Sequence, residues 1–248
     1  MDGNKQVRSL IVIPALNEEK TISAVIKGAI KIAPVLVVND GSKDNTASVA
    51  REAGALVLDL PRNVGVDRAL AAGFKEASRL GYAVVATIDA DGQHDTSVLQ
   101  SIMDPVISGQ FDMCHSCRTN YCRPSEWLLR RYSYYVHGLG DVLSGLKAFS
   151  LKTVFEPHEA MVSRPSLGTA LPWAAVNDGA SIAEVFITVK DRDEGDTPRI
   201  GGVFKANYRV VKALMRLVFW DMRSLMRHPA KFYKARFKDR RSRRVVLG

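Results

Sequence analysis

The sequence predicts an α/β fold in which helices flank a mostly parallel sheet. Short apolar runs that are typical of buried parallel strands alternate with helical segments along most of the chain. Three strand–helix units follow in succession, which favours a parallel sheet because such crossovers are right-handed. A polar, Gly-containing stretch at residues 191–202 then leads into a basic segment with helical spacing. We therefore expect one α/β domain followed by basic amphipathic helices.

Individual elements follow from local signals. The first apolar run ends in Pro14, which cannot extend a strand ladder, and the acids Glu18 and Glu19 suit the first turn of the next helix. The small residues Ala69, Ala72 and Gly73 allow a further helix to pack closely. The predicted strands are residues 8–14, 35–38, 55–58, 82–86, 111–117 and 183–189. The other predicted helices are residues 17–31, 46–52, 97–107, 126–143, 167–175 and 204–227.

The fourth predicted strand runs directly into two acids, Asp89 and Asp91. Residues two apart in an extended segment share a face, so these carboxylates can converge. They follow the carboxyl end of a strand, which is where open α/β sheets bind ligands. Hard divalent cations prefer oxygen ligands, and Mg²⁺ commonly takes one or two carboxylates together with substrate phosphates. The stretch therefore predicts a metal–diphosphate site, although acids in this position are often only solvated or capping residues.

The charge is distributed unevenly, which bears on partners and location. Residues 205–248 hold 14 Lys and Arg against two acids, a local charge of +12, whereas the rest of the chain carries −3. A basic tail suits nucleic acid, an anionic membrane surface or solubility. The zinc and interleaved aromatic patterns of nucleic-acid readers are missing from the sequence, so we expect no nucleic-acid partner. Residues 1–8 lack a signal pattern and no apolar run approaches the roughly 20 residues of a membrane span, so we expect a cytosolic protein.

Three cysteines, Cys114, Cys117 and Cys122, lie close together near His115. A closed zinc site needs four ligands, and a second Cys-x-x-Cys pair is missing. Cys114 falls in or just after a predicted strand. We therefore interpret these residues as buried or loop thiols rather than as a zinc site.

Four stretches together resemble the family 2 inverting glycosyltransferases of the GT-A fold. They are residues 13–18 (IPALNE), 38–46 (VNDGSKDNT), 89–94 (DADGQH) and 141–145 (DVLSG), in that order. The Asp-Ala-Asp-x-Gln-His form is most similar to the dolichyl- or polyprenyl-phosphate sugar synthases. The resemblance covers roughly residues 8–200. It implies a Rossmann-like GT-A domain over residues 1–202. The helical spacing and charge separately predict basic amphipathic C-terminal helices over residues 203–248.

The resemblance also implies roles for individual residues. Mg²⁺ or Mn²⁺ would be held by Asp89, Asp91 and Gln93. Catalysis would depend on Asp91, Asp141, Arg118 and Arg192, with both arginines facing phosphate, for which the planar guanidinium is well suited. The nucleotide-sugar would contact Pro14, Ala15, Asn17, Glu18, Val38, Asp40, Arg68, Asp89 and Ala90.

The sequence departs from the family pattern after Asn63. Val66 and Asp67 stand where the family commonly has Lys-Gly. A phosphate or sugar contact is either lost there or supplied by Arg68.

The reaction implied is transfer of a sugar, with inversion, from a GDP- or UDP-sugar to a polyprenyl or dolichyl phosphate. A lipid phosphate is already anionic and needs no general base, whereas a hydroxyl acceptor does. The alternative is therefore transfer to a sugar hydroxyl in cell-surface polysaccharide or glycolipid assembly, with Asp141 as the base. A non-catalytic membrane or nucleic-acid binding module is the least favoured hypothesis. We expect a peripheral protein at the cytoplasmic face of an anionic membrane, to which the basic tail would bind.

Overall fold

A central sheet organises the computed structural model, which describes residues 7–119, 124–162, 168–188, 202–227 and 244–247. Within those ranges the sheet has eight strands. They are β1 (Ser9–Ala15), β2 (Val35–Asn39), β3 (Leu56–Asp59), β4 (Val84–Thr87), β5 (Met113–Arg118), β6 (Lys147–Ser150), β7 (Ile182–Ile187) and β8 (Arg244–Leu247).

The strand order is β3-β2-β1-β4-β6-β5-β7-β8. Every neighbouring pair is parallel except the two that involve β6, which runs antiparallel to β4 and to β5. The carboxyl ends of the parallel strands and the amino end of β6 consequently lie at the same edge of the sheet. We call this the carboxyl edge, and it is the edge at which open α/β sheets bind ligands.

Helices pack on both faces of the sheet, which produces two hydrophobic layers. Alternate residues of β1 enter different layers: Leu10 and Val12 belong to one, Ile11 and Ile13 to the other. A π turn (Leu151–Phe155) and a 3-10 turn (Glu156–His158) lead into the short helix α6. The helices are α1 (Ile22–Ala29), α2 (Thr46–Glu52), α3 (Val66–Arg79), α4 (Val98–Ile107), α5 (Pro124–His137), α6 (Glu159–Val162), α7 (Ala170–Asn177) and α8 (Gly202–Arg227).

The predicted α/β fold with a mostly parallel sheet is confirmed. The close packing of α3 is also found, since a Cβ on Gly73 would lie 2.5 Å from the side chain of Val12. Two helix boundaries were wrong: α1 begins at Ile22 rather than at residue 17, and α5 ends at His137 rather than at residue 143. β6 was not predicted, because a strand of only four residues gives little periodic signal.

The 26-residue helix α8 has three faces. One packs on the domain through Val210, Ala213, Leu214, Leu217 and Asp221, all of which are buried. The opposite face is apolar yet exposed; we call it the exposed apolar stripe, and its members recur every three or four residues. They are Tyr208, Val211, Met215, Phe219, Met222 and Met226.

The third face of α8 is basic and borders the exposed apolar stripe. Its described side chains Arg209, Lys212, Arg216 and Arg223 are all exposed. Helical spacing in the sequence groups Val211, Leu214, Val218 and Leu225 on a single apolar stripe. That grouping is corrected here, because Leu214 is buried in the domain whereas Val211 and Leu225 are exposed.

Among the described residues, no helix is both long enough and apolar enough to cross a bilayer. Several sequence predictions fall outside the described ranges: the loop at residues 191–202 with Arg192, most of the basic end at residues 228–243, and Cys122.

Candidate active site

Two loops at the carboxyl edge, which follow β1 and β2, are joined by hydrogen bonds between backbone and side chains. Asn17, which adopts a left-handed φ of 55°, donates its N–H to Ser42 Oγ at 3.0 Å and accepts the Lys43 N–H at 2.8 Å. The Glu18 N–H donates to Thr46 Oγ1 at 2.8 Å. Residues 13–18 and residues 38–46, which are separate motifs in the sequence, therefore form one structural unit.

Asp40 follows β2 and is buried. Its two carboxylate oxygens accept the N–H groups of Val64 at 2.7 Å and Gly65 at 3.0 Å. Gly65 has a φ of 90°, so this contact fixes a turn at the start of α3 that an L-residue would strain. Asp40 thus anchors the third loop of the carboxyl edge. Its predicted contact with the base stays a prediction, and the carboxylate has lone pairs left to make it.

Asp89 follows β4 and sits directly against the backbone of Gly145. A Cβ on Gly145 would come within 2.1 Å of Asp89 Oδ2, so a side chain has no room there. Thr87 Oγ1 donates to the Gly145 carbonyl at 2.7 Å, which fixes the same loop to β4. This contact gives a physical reason for the glycine in the Asp141-x-x-Ser-Gly motif.

The surroundings of Asp89 favour its ionised form. Burial raises the pKa of this carboxyl, but the nearby His94 and the charges of Lys147 and Arg118 outweigh it, so the pKa lies below its ordinary value. His94 Nε2 is 3.6 Å from Asp89 Oδ2, and 44% of the Asp89 side chain is exposed. Asp89 is therefore an accessible carboxylate at the carboxyl edge.

Asp91 and Gln93 lie in the turn after β4 and are partly exposed. The Gln93 N–H donates to Asp91 Oδ1 at 3.1 Å, and Gly92 between them has a φ of 75°. Together with Asp89, these residues offer carboxylate and amide oxygens, which are donors that suit Mg²⁺ or Mn²⁺. The donor set fits the predicted metal, with coordination positions left to substrate phosphate.

Arg118 ends β5 and is paired with Asp141. Its Nε donates to Asp141 Oδ2 at 2.5 Å, and its second terminal nitrogen donates to Asp141 Oδ1 at 3.1 Å and to Glu126 at 3.4 Å. Burial raises the pKa of Asp141, but the hydrogen bond and charge of Arg118 hold it below its ordinary value. Asp141 is thus a buried carboxylate with both oxygens bound to a guanidinium, which makes it a weak base.

Lys147 begins β6 and is only 4% exposed. Its Nζ donates to the Gly168 carbonyl at 3.3 Å. Burial lowers the pKa of Lys147 to about 8, against the charges of Asp141, Asp89 and Asp67, which raise it. Lys147 was not among the predicted site residues. The available signal was a lysine two positions after Gly145, which the antiparallel direction of β6 brings to the carboxyl edge.

The remaining predicted residues are distributed as follows. Pro14, Ala15 and Val38 lie at the carboxyl ends of β1 and β2, Ala90 is buried between the two acids, and Arg68 is exposed in the first turn of α3.

Asp67, which stands at the glycine of the family's Lys-Gly pair, is buried next to Arg68. It accepts the Gly168 N–H at 2.7 Å. Gly168 thereby connects Asp67 to Lys147, whose Nζ donates to its carbonyl. An acid in the first turn of α3 and a buried lysine on β6 were both absent from the predicted set, although each contacts Gly168.

Cys114 and Cys117 are buried free thiols, in agreement with the sequence interpretation. Their odd spacing on β5 directs them to opposite faces of the sheet. Burial raises the pKa of Cys114 to about 12, with smaller contributions from Cys117 and Glu184, so it stays a neutral thiol.

Comparison with known proteins identifies the family. The family model described as Glycosyl transferase family 2 matches residues 10–169. The chain is 28% identical to a polyprenol monophosphomannose synthase of Mycolicibacterium smegmatis, over 87% of this chain and 88% of that protein. It is 24% identical to an undecaprenyl-phosphate mannosyltransferase of Micrococcus luteus, over 87% and 95% of the two chains.

A solved structure shares the fold. Glucosyl-3-phosphoglycerate synthase of Mycobacterium tuberculosis, crystallised with Mn²⁺, uridine diphosphate and phosphoglyceric acid, superposes with a TM-score of 0.63 at 20% identity. The match covers 85% of this chain and 77% of that one. The family match extends over well over half of the chain, and the strand-end motifs lie together at the carboxyl edge. The protein is therefore an enzyme of glycosyl transferase family 2.

Proposed function

We propose that this protein transfers a hexose, with inversion, from a nucleotide-diphosphate sugar to a polyprenyl phosphate at a membrane surface. The observation that carries the proposal is the pairing of Arg118 with Asp141 beside the buried Lys147. The carboxyl edge thereby places the cations Arg118 and Lys147 near Asp89. Asp141 is bound to Arg118 and is not available as a general base. Relatives named for polyprenol phosphate and undecaprenyl phosphate support the acceptor class.

An anionic acceptor fits this arrangement better than a hydroxyl does. A sugar hydroxyl must lose a proton as it attacks, so a carboxylate has to be within reach and basic enough to take it. Asp141 is only 3% exposed, and both of its oxygens face Arg118. A phosphate monoester is already charged and attacks without a base. The bidentate pair therefore disfavours the alternative in which Asp141 activates a hydroxyl.

The donor would bind across the loops that follow β1, β2 and β4. Pro14 is partly exposed and would supply apolar surface to the proposed nucleoside pocket, whereas Ala15, Val38 and Asp40 are buried and would support it from beneath. Two relatives are named for mannose, so a mannose donor is the first to test. The donor screen described below also decides whether the nucleotide is guanosine or uridine diphosphate.

The diphosphate leaves as negative charge develops on it, and charged groups of this chain are arranged to receive that charge. Asp89, Asp91 and Gln93 would hold Mg²⁺ or Mn²⁺, which when bound stabilises a leaving diphosphate as a Lewis acid. Lys147 lies at the same edge of the sheet as Asp89, where its buried ammonium charge would stabilise negative charge on the diphosphate or the acceptor phosphate. Such fixed charges are effective in a site that excludes water.

The membrane surface is proposed from the exterior of α5 and α8. The exposed apolar stripe of α8 would enter the lipid boundary while the adjacent arginines and lysine meet anionic headgroups. α5 adds exposed Trp127 and Tyr135, and Arg131 stacks on both rings, at 5.5 Å and 4.9 Å from their centroids. Aromatic rings with a cationic neighbour are typical of the interfacial layer of a bilayer.

The test of the reaction is a donor screen that measures free nucleoside diphosphate with and without polyprenyl phosphate. We expect release that depends on the lipid phosphate, on one nucleotide-mannose donor and on a divalent cation. Equal release with a lipid alcohol in place of the phosphate would contradict the proposal.

Membrane binding is tested separately with vesicles. Full-length protein should sediment with anionic vesicles at low salt and be released at high salt, with little binding to neutral vesicles. Replacing Met215 and Phe219 by Ser should weaken binding, whereas the matched exposed change Val66→Ser on α3 should not. Unchanged sedimentation of the α8 variant would refute the role of the exposed apolar stripe.

A further inference from the structure

A buried polar cluster lies beneath the carboxyl edge and has no assigned role. It consists of His115 and Cys117 on β5 and Glu184 on β7, and their side-chain donor atoms are all within 4.8 Å of one another. His115 is paired in register with Glu184, and Cys117 lies two residues further along the same strand, so all three share one face of the sheet. His115 and Glu184 are fully buried.

The cluster holds a charged pair. His115 Nε2 is 3.0 Å from Glu184 Oε1. Burial lowers the pKa of His115, but the hydrogen bonds and charges of Cys117 and Glu184 raise it to about 9, which favours a protonated imidazole at neutral pH. Burying ions is costly even when they are paired, so such a pair is seldom explained by stability alone.

The cluster contacts the loop that carries Asp141. Glu184 Oε1 accepts the Gly140 N–H at 2.7 Å, and Cys117 Sγ accepts the Asp141 N–H at 3.5 Å. A Cβ on Gly140 would lie 2.6 Å from Cys117 Sγ and 3.0 Å from Glu184 Oε1. The N–H groups of two consecutive residues are therefore held against the cluster, and at Gly140 there is no space for a side chain.

The same loop sets the geometry of the cationic part of the site. Asp141 follows Gly140 directly, and its carboxylate holds Arg118 in a two-point contact. A bidentate contact of this kind has strict distance and angle requirements, so a small shift of the loop would turn the guanidinium. The other end of the loop is fixed independently, by the hydrogen bond from Thr87 to the Gly145 carbonyl next to Asp89.

We propose that Glu184, supported by His115, is a positioning residue that sets the orientation of Arg118 toward the acceptor phosphate through Gly140 and Asp141. This inference rests on the proposed function for the identity of the acceptor. It predicts a loss on the acceptor side of the reaction, because the Asp89 side of the loop has its own anchor. Glu184 itself does not touch substrate.

A metal ion is the competing explanation for the cluster. A closed structural zinc site uses four protein ligands, and in the described part of the chain this group supplies three. One Glu184 oxygen is already shared by the Gly140 N–H and by His115. Hydrogen bonding accounts for the Glu184 contacts without an ion, whereas His115 Nδ1 is buried with no hydrogen-bond partner among the described residues. The zinc content of the purified protein decides between the two explanations.

The experiment compares Glu184→Gln with Glu184→Leu in the full chain. Glutamine keeps an oxygen that can accept the Gly140 N–H, whereas leucine removes it at similar volume. The matched control is His158→Gln, because His158 is a buried histidine hydrogen-bonded to Asp178 (2.9 Å) and to the Val154 carbonyl (2.8 Å) on the side of α7. All four proteins are measured for donor KM, acceptor KM, kcat and amide hydrogen exchange over residues 138–146.

We expect Glu184→Leu to lose at least tenfold in kcat/KM for the lipid phosphate, with donor KM within twofold of wild type and faster exchange at Gly140 and Asp141. Glu184→Gln should stay within threefold of wild type in each measurement. His158→Gln should leave the exchange of this loop unchanged. A Glu184→Leu variant whose donor and acceptor KM change together, or whose loop exchanges at the wild-type rate, overturns the inference.

Metal content and wild-type activity separate the remaining outcomes. One equivalent of zinc in the purified protein, lost in Glu184→Leu, would overturn the hydrogen-bonded interpretation. Wild-type protein that is inactive on polyprenyl phosphate refutes the proposed function instead. The positioning role is then decided with the acceptor that the screen identifies, and by amide exchange, which needs no substrate.

Discussion

Replacing Lys147 by methionine should stabilise the protein while it impairs transfer. Lys147 is buried at the start of β6, and its ammonium group donates a hydrogen bond to the Gly168 carbonyl. Burial lowers the pKa of Lys147 from 10.5 to about 8 despite three nearby carboxylates. A charged lysine is therefore held in surroundings that favour its neutral form, which indicates that the charge is kept for function.

The magnitude follows from linkage. At pH 7 the lysine is protonated in both the folded and unfolded chains, and a shift from 10.5 to about 8 corresponds to about 3 kcal/mol of lost stability. Methionine has a similar length and no charge, but it also loses the hydrogen bond to Gly168, worth about 1 kcal/mol. We expect a net gain of about 2 kcal/mol, or roughly 4–8 °C in Tm for a chain of this size.

Activity should change in the opposite direction. Removing one preorganised charge or donor next to developing negative charge typically lowers kcat by about 10²-fold, and we expect a loss of that order in Lys147→Met. The control is Lys75→Met, since Lys75 forms an exposed ion pair with Glu159 on the surface. That variant should leave both Tm and transfer nearly unchanged.

The pH dependence provides a second test with a defined sign. Between pH 8 and 10.5 the folded protein has lost the Lys147 proton and the unfolded chain has not, so wild-type stability should rise relative to Lys147→Met. The raised pKa of His115 acts oppositely: its contribution is complete below pH 6.5 and is lost as the pH passes about 9. His115 is present in both proteins, so the difference between their denaturation curves isolates Lys147. A destabilised or fully active Lys147→Met variant would refute the reasoning.

Three further substitutions test the predicted site. Asp91→Ala should abolish metal-dependent donor binding and transfer, measured by calorimetry with Mn²⁺ and by turnover, with little change in Tm; full wild-type activity in a chelator would contradict the metal site. Asp40→Ala leaves two loop N–H groups without their acceptor, so it should cost about 2–3 kcal/mol in urea denaturation as well as donor affinity; donor affinity equal to wild type would count against the nucleoside pocket. Gly145→Ala should weaken donor binding at least tenfold, because its Cβ would displace the Asp89 carboxylate, and an unchanged donor Kd would show that Asp89 does not contact the donor.

The sequence by itself determined the parts of this protein that local patterns encode. Apolar runs alternating with helical segments predicted a mostly parallel sheet, which the strand pairing confirms. The acids after β4 and the four ordered motifs indicated the glycosyltransferase family, which the family match over residues 10–169 confirms. These signals are read within one strand, one turn or one helix start. The predicted ligand roles of Asp89, Asp91 and Gln93 stay predictions.

Tertiary structure decided which polar groups meet. β6 inserts antiparallel between β4 and β5, and that single choice of direction brings Lys147 to the carboxyl edge, where its sequence neighbours give no such signal. The pairing of Arg118 with Asp141, 23 residues away, and the contact of Glu184 with Gly140 likewise depend on the order of strands. Periodicity in the sequence indicates on which face of its own helix or strand a residue lies. It does not indicate which distant element packs on that face, and the partners that this element supplies determine whether a buried charge is stabilised.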